Sequence, residues 1–210
     1  MKLLIEKHRE FNVETHIAFI DFQKVFDKVN RNRLLNILAD NHIPQQIISN
    51  IFNLYRKTMI SIKLSEKLTE LKEIFTGVRQ GCALSPLLFN IYMNKSIKEF
   101  RHKTHSHIRI NIFTNFDTLR YADDLTLLAT SEDELQRFIH NLKQKSGKYS
   151  MEISIDKTKI MTFCGKDPVT SKICINNTNI GKSKCFQVSW FQLIFFGRKN
   201  YKIQQIYRNY

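Results

Sequence analysis

Two adjacent carboxylates, Asp123 and Asp124, stand in Tyr121-Ala-Asp-Asp-Leu-Thr-Leu-Leu-Ala129, between the apolar runs 118–122 and 125–129. That pattern predicts a β-hairpin holding acidic groups at its tip. Neighbouring carboxylates on a rigid turn repel each other, and a bound divalent cation relieves the repulsion. A third acid, Asp21, closes a separate apolar run, His16-Ile-Ala-Phe-Ile-Asp-Phe22. Three carboxylates on two neighbouring strands suit two-metal phosphoryl transfer, in which Mg2+ ions about 3.5–4 Å apart clamp the attacking and leaving oxygens. Such ions take hard oxygen ligands and keep waters and substrate phosphates as the remainder. One Asp at a strand end is ordinarily a turn or cap residue. Only the combination of Asp21 with Asp123 and Asp124 points to metal.

The elements that would position these acids can be read from periodicity. Residues 16–22 predict a strand buried on both faces. The apolar spacing of Val25, Phe26, Val29, Leu34, Leu35 and Leu38 predicts a helix over 25–39. Pro44 opens a second helix to Tyr55, with Ile47, Ile48, Ile51, Phe52 and Tyr55 as its apolar stripe. Residues 58–64 alternate and predict a strand, with 71–76 as hairpin partner. Ser85-Pro86 starts a helix to Phe100, and 108–113 predict another strand. Ser131 and Glu134 form a capping-box signature for a helix to about Lys145 that stops at Gly147. A strand over 159–164 and a weak hairpin, 173–175 with 179–180, complete the order. It predicts an α+β domain, an antiparallel sheet with helices packed on one face.

The formal net charge of +14 and pI near 9.7 point to a polyanionic partner, nucleic acid or an anionic membrane surface. No apolar run approaches the ~18 residues of a transmembrane helix. The N-terminal stretch, Met1 to Glu10, is too charged for a signal peptide. Cys82, Cys164, Cys174 and Cys185 lack zinc spacing and are expected to be reduced thiols. His102, His105 and His107 lie among Arg101, Lys103 and Arg109, and read as a solvated basic loop.

Four segments carry a family resemblance. Phe19-Ile-Asp-Phe-Gln-Lys-Val-Phe-Asp-Lys-Val29 resembles the first catalytic motif of reverse transcriptases from non-LTR retrotransposons. Gly77-Val-Arg-Gln-Gly-Cys-Ala-Leu-Ser-Pro-Leu-Leu-Phe-Asn90 resembles their second motif and Tyr121-Ala-Asp-Asp124 their third. Gly147-Lys-Tyr-Ser-Met-Glu-Ile-Ser-Ile-Asp-Lys-Thr-Lys159 is similar to their fourth. The motifs stand in the family's order over roughly residues 5–165. The implied fold is the reverse-transcriptase palm, and the implied activity is an RNA-directed DNA polymerase.

The resemblance implies specific roles. Asp21 and Asp123 would bridge two Mg2+ ions (Mn2+ as substitute), with Asp124 as the less critical neighbour and the carbonyl of Phe22 as a further oxygen. A primer 3′-hydroxyl would attack the α-phosphate of a deoxynucleoside triphosphate and release pyrophosphate. Phe26 stands where the family places an aromatic steric gate against the ribose 2′-hydroxyl; by pattern alone it is equally a core residue. Asp27 reads as a residue that caps or positions the turn. Gly77, Gln80 and Gly81 resemble the loop along the template and nascent base pair, and Arg79 would meet template phosphate. Lys157 would approach the triphosphate and protonate the leaving pyrophosphate; Lys159 is the weaker candidate. The partners implied are an RNA template, a DNA primer and deoxynucleoside triphosphates, with no membrane and no inferable protein partner. Family habit places the chain inside the cell, in nucleus or cytoplasm.

The pattern also departs from the family. Fingers precede the first motif there, whereas only about sixteen residues precede the first strand here. The fingers are therefore expected to be incomplete and the thumb absent. Residues 1–167 read as the partial palm and 168–185 as the start of a primer-gripping region. From 168 onward the chain carries seven Lys or Arg and no Asp or Glu. Residues 186–210 read as a divergent basic tail, disordered or without assignable fold. Two functional classes stay open: a polymerase palm fragment, and a non-catalytic remnant that binds nucleic acid. A nucleotide cyclase, a third two-metal class, is disfavoured by the Gly77–Gly81 loop and the Tyr121–Asp124 context.

Overall fold

The computed structural model describes residues 10–11, 13–101, 109–111, 114–115, 118–121, 124–163, 173–182, 185–188, 191–196 and 200–204. The chain divides into two compact units. The first comprises Met1–Gln23, Glu99–Lys145 and Glu152–Tyr210, and the second Lys24–Lys98 with Ser146–Met151.

In the first unit, β1 (Thr15–Ile20) is buried at all six residues. Ile17 and Ala18 are fully enclosed. Only a central strand needs apolar residues on both faces, and this one has neighbours on both edges. Along one edge it pairs antiparallel with β9 (Asp124–Ala129), along the other with β10 (Lys159–Phe163). Beyond β9 lies β8 (Thr118–Tyr121), also antiparallel. Beyond β10 lies the short β13 (Gly181–Lys182), which runs parallel to it. The sheet order is therefore β13-β10-β1-β9-β8. The predicted antiparallel sheet is present, with one parallel edge strand added.

Helix α4 (Glu132–Lys148) opens as its capping signature demands, the Ser131 hydroxyl accepting from the Glu134 amide at 3.2 Å. The Glu134 carboxylate reaches one residue further back than a standard capping box, to the amide and hydroxyl of Thr130 at 2.8 and 2.9 Å. Three acids in the first turn also face the positive end of the helix dipole. Gly147 does not stop this helix, because the chain turns only at Tyr149 and Ser150, whose amides bond to Ser146 and Gly147 carbonyls. Ser131→Ala should lower stability by about 1 kcal/mol through loss of the cap, read as a small fall in urea midpoint at unchanged slope.

The second unit corrects the reading of 25–39. Helix α1 spans Arg31–Asp40 only. Lys24 adopts a left-handed φ of 45°, and residues 24–28 form one isolated turn. Asn30 caps α1 by accepting from the Arg33 amide. Val25 and Val29 are buried nevertheless, at 3% and 1% exposure, so their spacing reported burial and not helix. Helix α2 (Gln45–Tyr55) begins after Pro44 as expected, but Ile47 and Phe52 stay about half exposed. The hairpin of 58–76 is broken in two, β2 (Met59–Ile60) with β5 (Lys72–Glu73) and β3 (Lys63–Leu64) with β4 (Lys67–Leu68). Ser65 takes positive φ at the β3–β4 turn. Helix α3 (Ser85–Arg101) starts where Pro86 predicts. Tyr92, fully buried, packs edge-on to Tyr149 at 5.5 Å and donates to its carbonyl at 2.9 Å, and this burial raises the phenol pKa.

The tail is the other departure. Cys185–Val188, Phe191–Phe196 and Asn200–Gln204 (β14, β15, β16) form an antiparallel three-stranded sheet. The dense aromatic and β-branched run Phe191-Gln-Leu-Ile-Phe-Phe196 favours strand geometry irrespective of its basic surroundings. Short strands Arg109–Asn111 and Thr114–Asn115 (β6, β7) pair where 108–113 was expected. The weak hairpin is Cys174–Ile175 with Thr178–Asn179 (β11, β12). His102, His105, His107 and Cys164 lie outside the described residues; Cys82 and Cys174 form no disulfide among the described residues.

Candidate active site

Antiparallel register carries the first unit's site. Ile20 of β1 pairs with Leu125 of β9, the last pair of that ladder, so Asp21, which follows Ile20, and Asp124, which precedes Leu125, stand at the same end of the two strands. Asp124 itself opens β9, paired with Tyr121 at the end of β8. Strands β8 and β9 thus pair as the predicted hairpin, while Ala122 and Asp123 lie outside the described residues. Among the described residues, a set that leaves out Asp123, no three His, Cys, Asp or Glu side chains are placed to hold an ion.

The backbone of Asp21 is clamped by the turn that precedes β10. Its carbonyl accepts from the Ser154 amide at 2.8 Å, and its amide donates to the Thr158 hydroxyl at 3.4 Å. Phe22 forms an isolated antiparallel bridge with Ile153. The flanking bonds of that bridge use the Asp21 carbonyl and the Gln23 amide, so they leave the Phe22 carbonyl to other partners. Sequence reasoning passed over Thr158, although it stands in Asp156-Lys-Thr-Lys159 between the two lysines it weighed. Full burial of a hydroxyl there is the signal that finds it.

The two lysines separate cleanly. Lys157 places its ammonium 3.7 Å from the Asp21 carboxylate while remaining three-quarters exposed. Lys159 instead donates to the Asp156 carbonyl at 2.6 Å. Arg120, on β8, pairs with Leu125 and so projects to the opposite face from Asp124. Burial lowers its pKa, and neighbouring Arg101 lowers it further. Of the two lysines, Lys157 is the one beside the Asp21 carboxylate.

The remaining sequence-predicted residues belong to the second unit. Gly77 adopts φ +81° and its amide donates to the Val29 carbonyl. A Cβ there would lie 2.9 Å from the Asp27 carbonyl oxygen, so only glycine fits. Gly81 also takes positive φ, with open space where a Cβ would stand. Gln80 and Arg79 are exposed, the Gln80 amide 3.4 Å from the Asp27 carboxylate and the Arg79 guanidinium 3.4 Å from the Thr58 hydroxyl. Asp27 therefore positions this loop, as its place in the turn suggested. Phe26 is half-buried and stacks on Phe89 with ring centroids 4.3 Å apart; its carbonyl accepts from Val78.

Arg31 is the residue of this unit that sequence reasoning missed. It donates to three backbone carbonyls, Gly77 at 2.9 Å, Tyr55 at 3.2 Å and Ile74 at 2.6 Å. Desolvation lowers its pKa, with Arg79 adding to the effect. An arginine capping the carbonyls that end several separate segments has no local sequence signature.

Comparison with known proteins gives the family and the fold. Residues 3–196 match the family described as reverse transcriptase (RNA-dependent DNA polymerase). The chain is 25% identical over 163 residues to the Retrovirus-related Pol polyprotein from type-1 retrotransposable element R2 of Bradysia coprophila, covering 76% of this chain and 18% of that protein. It is 23% identical over 202 residues to the RNA-directed DNA polymerase from mobile element jockey of Drosophila melanogaster, covering 91% and 21%. The chain thus spans about a fifth of the length of these relatives. The fold is similar to apo telomerase of Candida tropicalis truncated from its C-terminal domain, with TM-score 0.64, 16% identity, and 98% and 38% of the two chains covered. Telomerase of the same organism in complex with the TWJ fragment of telomeric RNA gives TM-score 0.61 at 17% identity, covering 86% and 30%. The palm sheet, the four motifs and the matched span together make this chain a member of the reverse transcriptase family, of the non-LTR retrotransposon type.

Proposed function

We propose that this chain performs RNA-directed nucleotidyl transfer to the 3′-hydroxyl of a DNA primer, with Asp21, Asp123 and Asp124 as its metal-holding acids. The observation that supports this reading is the antiparallel β1–β9 pairing up to Ile20 and Leu125, which brings the positions of Asp21 and Asp124 to the same end of the two strands. Hard carboxylates beside the Phe22 carbonyl suit Mg2+ or Mn2+ better than softer metals. Two such ions supply neutralisation of phosphate charge and a lowered pKa for the primer hydroxyl.

The other steps fall to the chain's own side chains. Lys157, exposed beside Asp21, offers a proton to the departing pyrophosphate. The Phe26 ring, backed by Phe89, excludes a ribose 2′-hydroxyl and so selects deoxynucleotides. Gly77 and Gly81 let backbone approach the template and the nascent pair, where the Gln80 amide can both donate and accept. Arg79 meets template phosphate. The substrates are an RNA template, a DNA primer and deoxynucleoside triphosphates.

Primer extension on poly(rA)/oligo(dT) with Mg2+ or Mn2+ tests the reading against an Asp123→Asn control. Incorporation by the parent chain that vanishes in the control is the expected result. Retained oligonucleotide binding without incorporation in the parent would instead favour a non-catalytic nucleic-acid-binding remnant.

A further inference from the structure

Between α1, α2 and β5, within the second unit, lies a cavity of about 230 Å3 that none of the residues assigned above to nucleotidyl transfer lines. We propose that it receives one unstacked base of a single-stranded nucleic acid, with the adjoining phosphates held by Arg31, Arg56 and Lys57. The proposal rests on the reading that the chain engages a nucleic-acid strand, and adds a place on that strand which the transfer site does not occupy.

Size is the first argument. Pockets for drug-sized ligands run to about 300–1,000 Å3, so this one suits a single heterocycle. The wall chemistry is the second. Leu34, Ile51 and Tyr55 are buried and line the inside, while Phe52 and Phe75 keep 50% and 73% of their surface exposed. These two leave aromatic rings for a base to stack on, and stacking accepts any base because every base has a π-face. Helical spacing puts Phe52 in the apolar stripe of α2, yet this ring is left half exposed beside the cavity.

Charge is the third argument. Arg31, Arg56 and Lys57 line the cavity against one carboxylate, Glu73. Three backbone carbonyls take the Nε and Nη1 donors of Arg31, and its guanidinium lies 5.0 Å from the Tyr55 ring centroid. Among the described residues no carboxylate pairs with Arg31 and its Nη2 donors make no bond. A guanidinium held this way offers a fixed fork to phosphate oxygens. Arg79 stands 6.0 Å from the same Tyr55 ring and extends the positive field. Cations interleaved with exposed aromatic rings match a phosphate-and-base polymer better than an acidic peptide, which has no regular alternation of the two.

The test uses the full chain and fluorescence anisotropy with labelled oligo(rU), the same oligomer made abasic, and inorganic polyphosphate as competitor. Phe52 and Phe75 are exposed, so truncating them leaves the core intact, and circular dichroism checks this. Phe52→Ala with Phe75→Ala should weaken oligo(rU) binding about tenfold or more while leaving the abasic oligomer unchanged. Arg56→Ala should weaken both oligomers and polyphosphate, and reduce the salt slope for the oligomers by about 0.7. Oligo(rU) bound equally by parent and double variant overturns the proposal while sparing the polymerase reading. Equal losses for the intact and abasic oligomers overturn it as well. An acidic aromatic peptide that depends on Phe52 and Phe75 where oligo(rU) does not would assign the cavity to a protein partner. A parent chain that binds no oligonucleotide ends both this proposal and the wider reading.

Discussion

Asp21→Asn should reduce nucleotide incorporation about 10^3-fold, the equivalent of roughly 4 kcal/mol in the barrier. Asparagine keeps the shape and the backbone clamp from Ser154 and Thr158, so the loss isolates the carboxylate charge. Stability should move differently. In the metal-free chain the substitution removes one of two like charges carried at the same end of the β1–β9 pair. It also removes the Asp21–Lys157 pair, but Lys157 is largely solvated and such a pair contributes under about 1 kcal/mol. The metal-free melting temperature should therefore be equal to or slightly above that of the parent. Added Mg2+ should raise the parent's melting temperature through linkage and leave the variant's nearly unmoved. A variant that keeps both its activity and its Mg2+ response would remove Asp21 from the site.

Gly77→Ala should have the largest effect on stability. A residue with a side chain at φ +81° costs about 1–2 kcal/mol. The new Cβ would also press against the Asp27 carbonyl at 2.9 Å and its Cα at 3.0 Å, both main-chain atoms that cannot swing aside. Overpacking of that kind adds about 1–3 kcal/mol. Together they predict a loss of about 2–5 kcal/mol, or a melting temperature lower by roughly 4–20 °C for a chain of this size. Gly81→Ala serves as the internal comparison, because it meets the same φ penalty with nothing in the way. Denaturant titration should order the chains as parent, then Gly81→Ala, then Gly77→Ala. Equal losses at both glycines would show that backbone strain alone operates.

Much of the site was legible because it depends on local patterns. Alternating and continuous apolar runs placed β1, β8 and β9, and the two strands end at the acids because charged groups cannot continue into a buried centre. Ser131 and Pro86 announced their helices through capping chemistry that acts within one turn. Where periodicity failed, a long-range contact had overridden it. Val25 and Val29 have helical spacing, yet their burial belongs to a turn whose end is tied to the Thr76–Val78 segment by backbone bonds. The three-stranded sheet of the tail is not legible in the sequence because a divergent, basic composition says little about strand pairing.

Chemical type, order and spacing of the motifs were settled by the chain's own letters: which acids, which glycines, and a strand ending in each acidic segment. Folding alone determined that Asp21 and Asp124 come to the same end of the β1–β9 pair, that Lys157 rather than Lys159 stands beside Asp21, and that Arg31 ties three distant carbonyls together. The reason is distance along the chain. Propensity and capping act over a few residues, whereas pairing between positions a hundred residues apart follows from how buried surfaces fit, which no local pattern encodes.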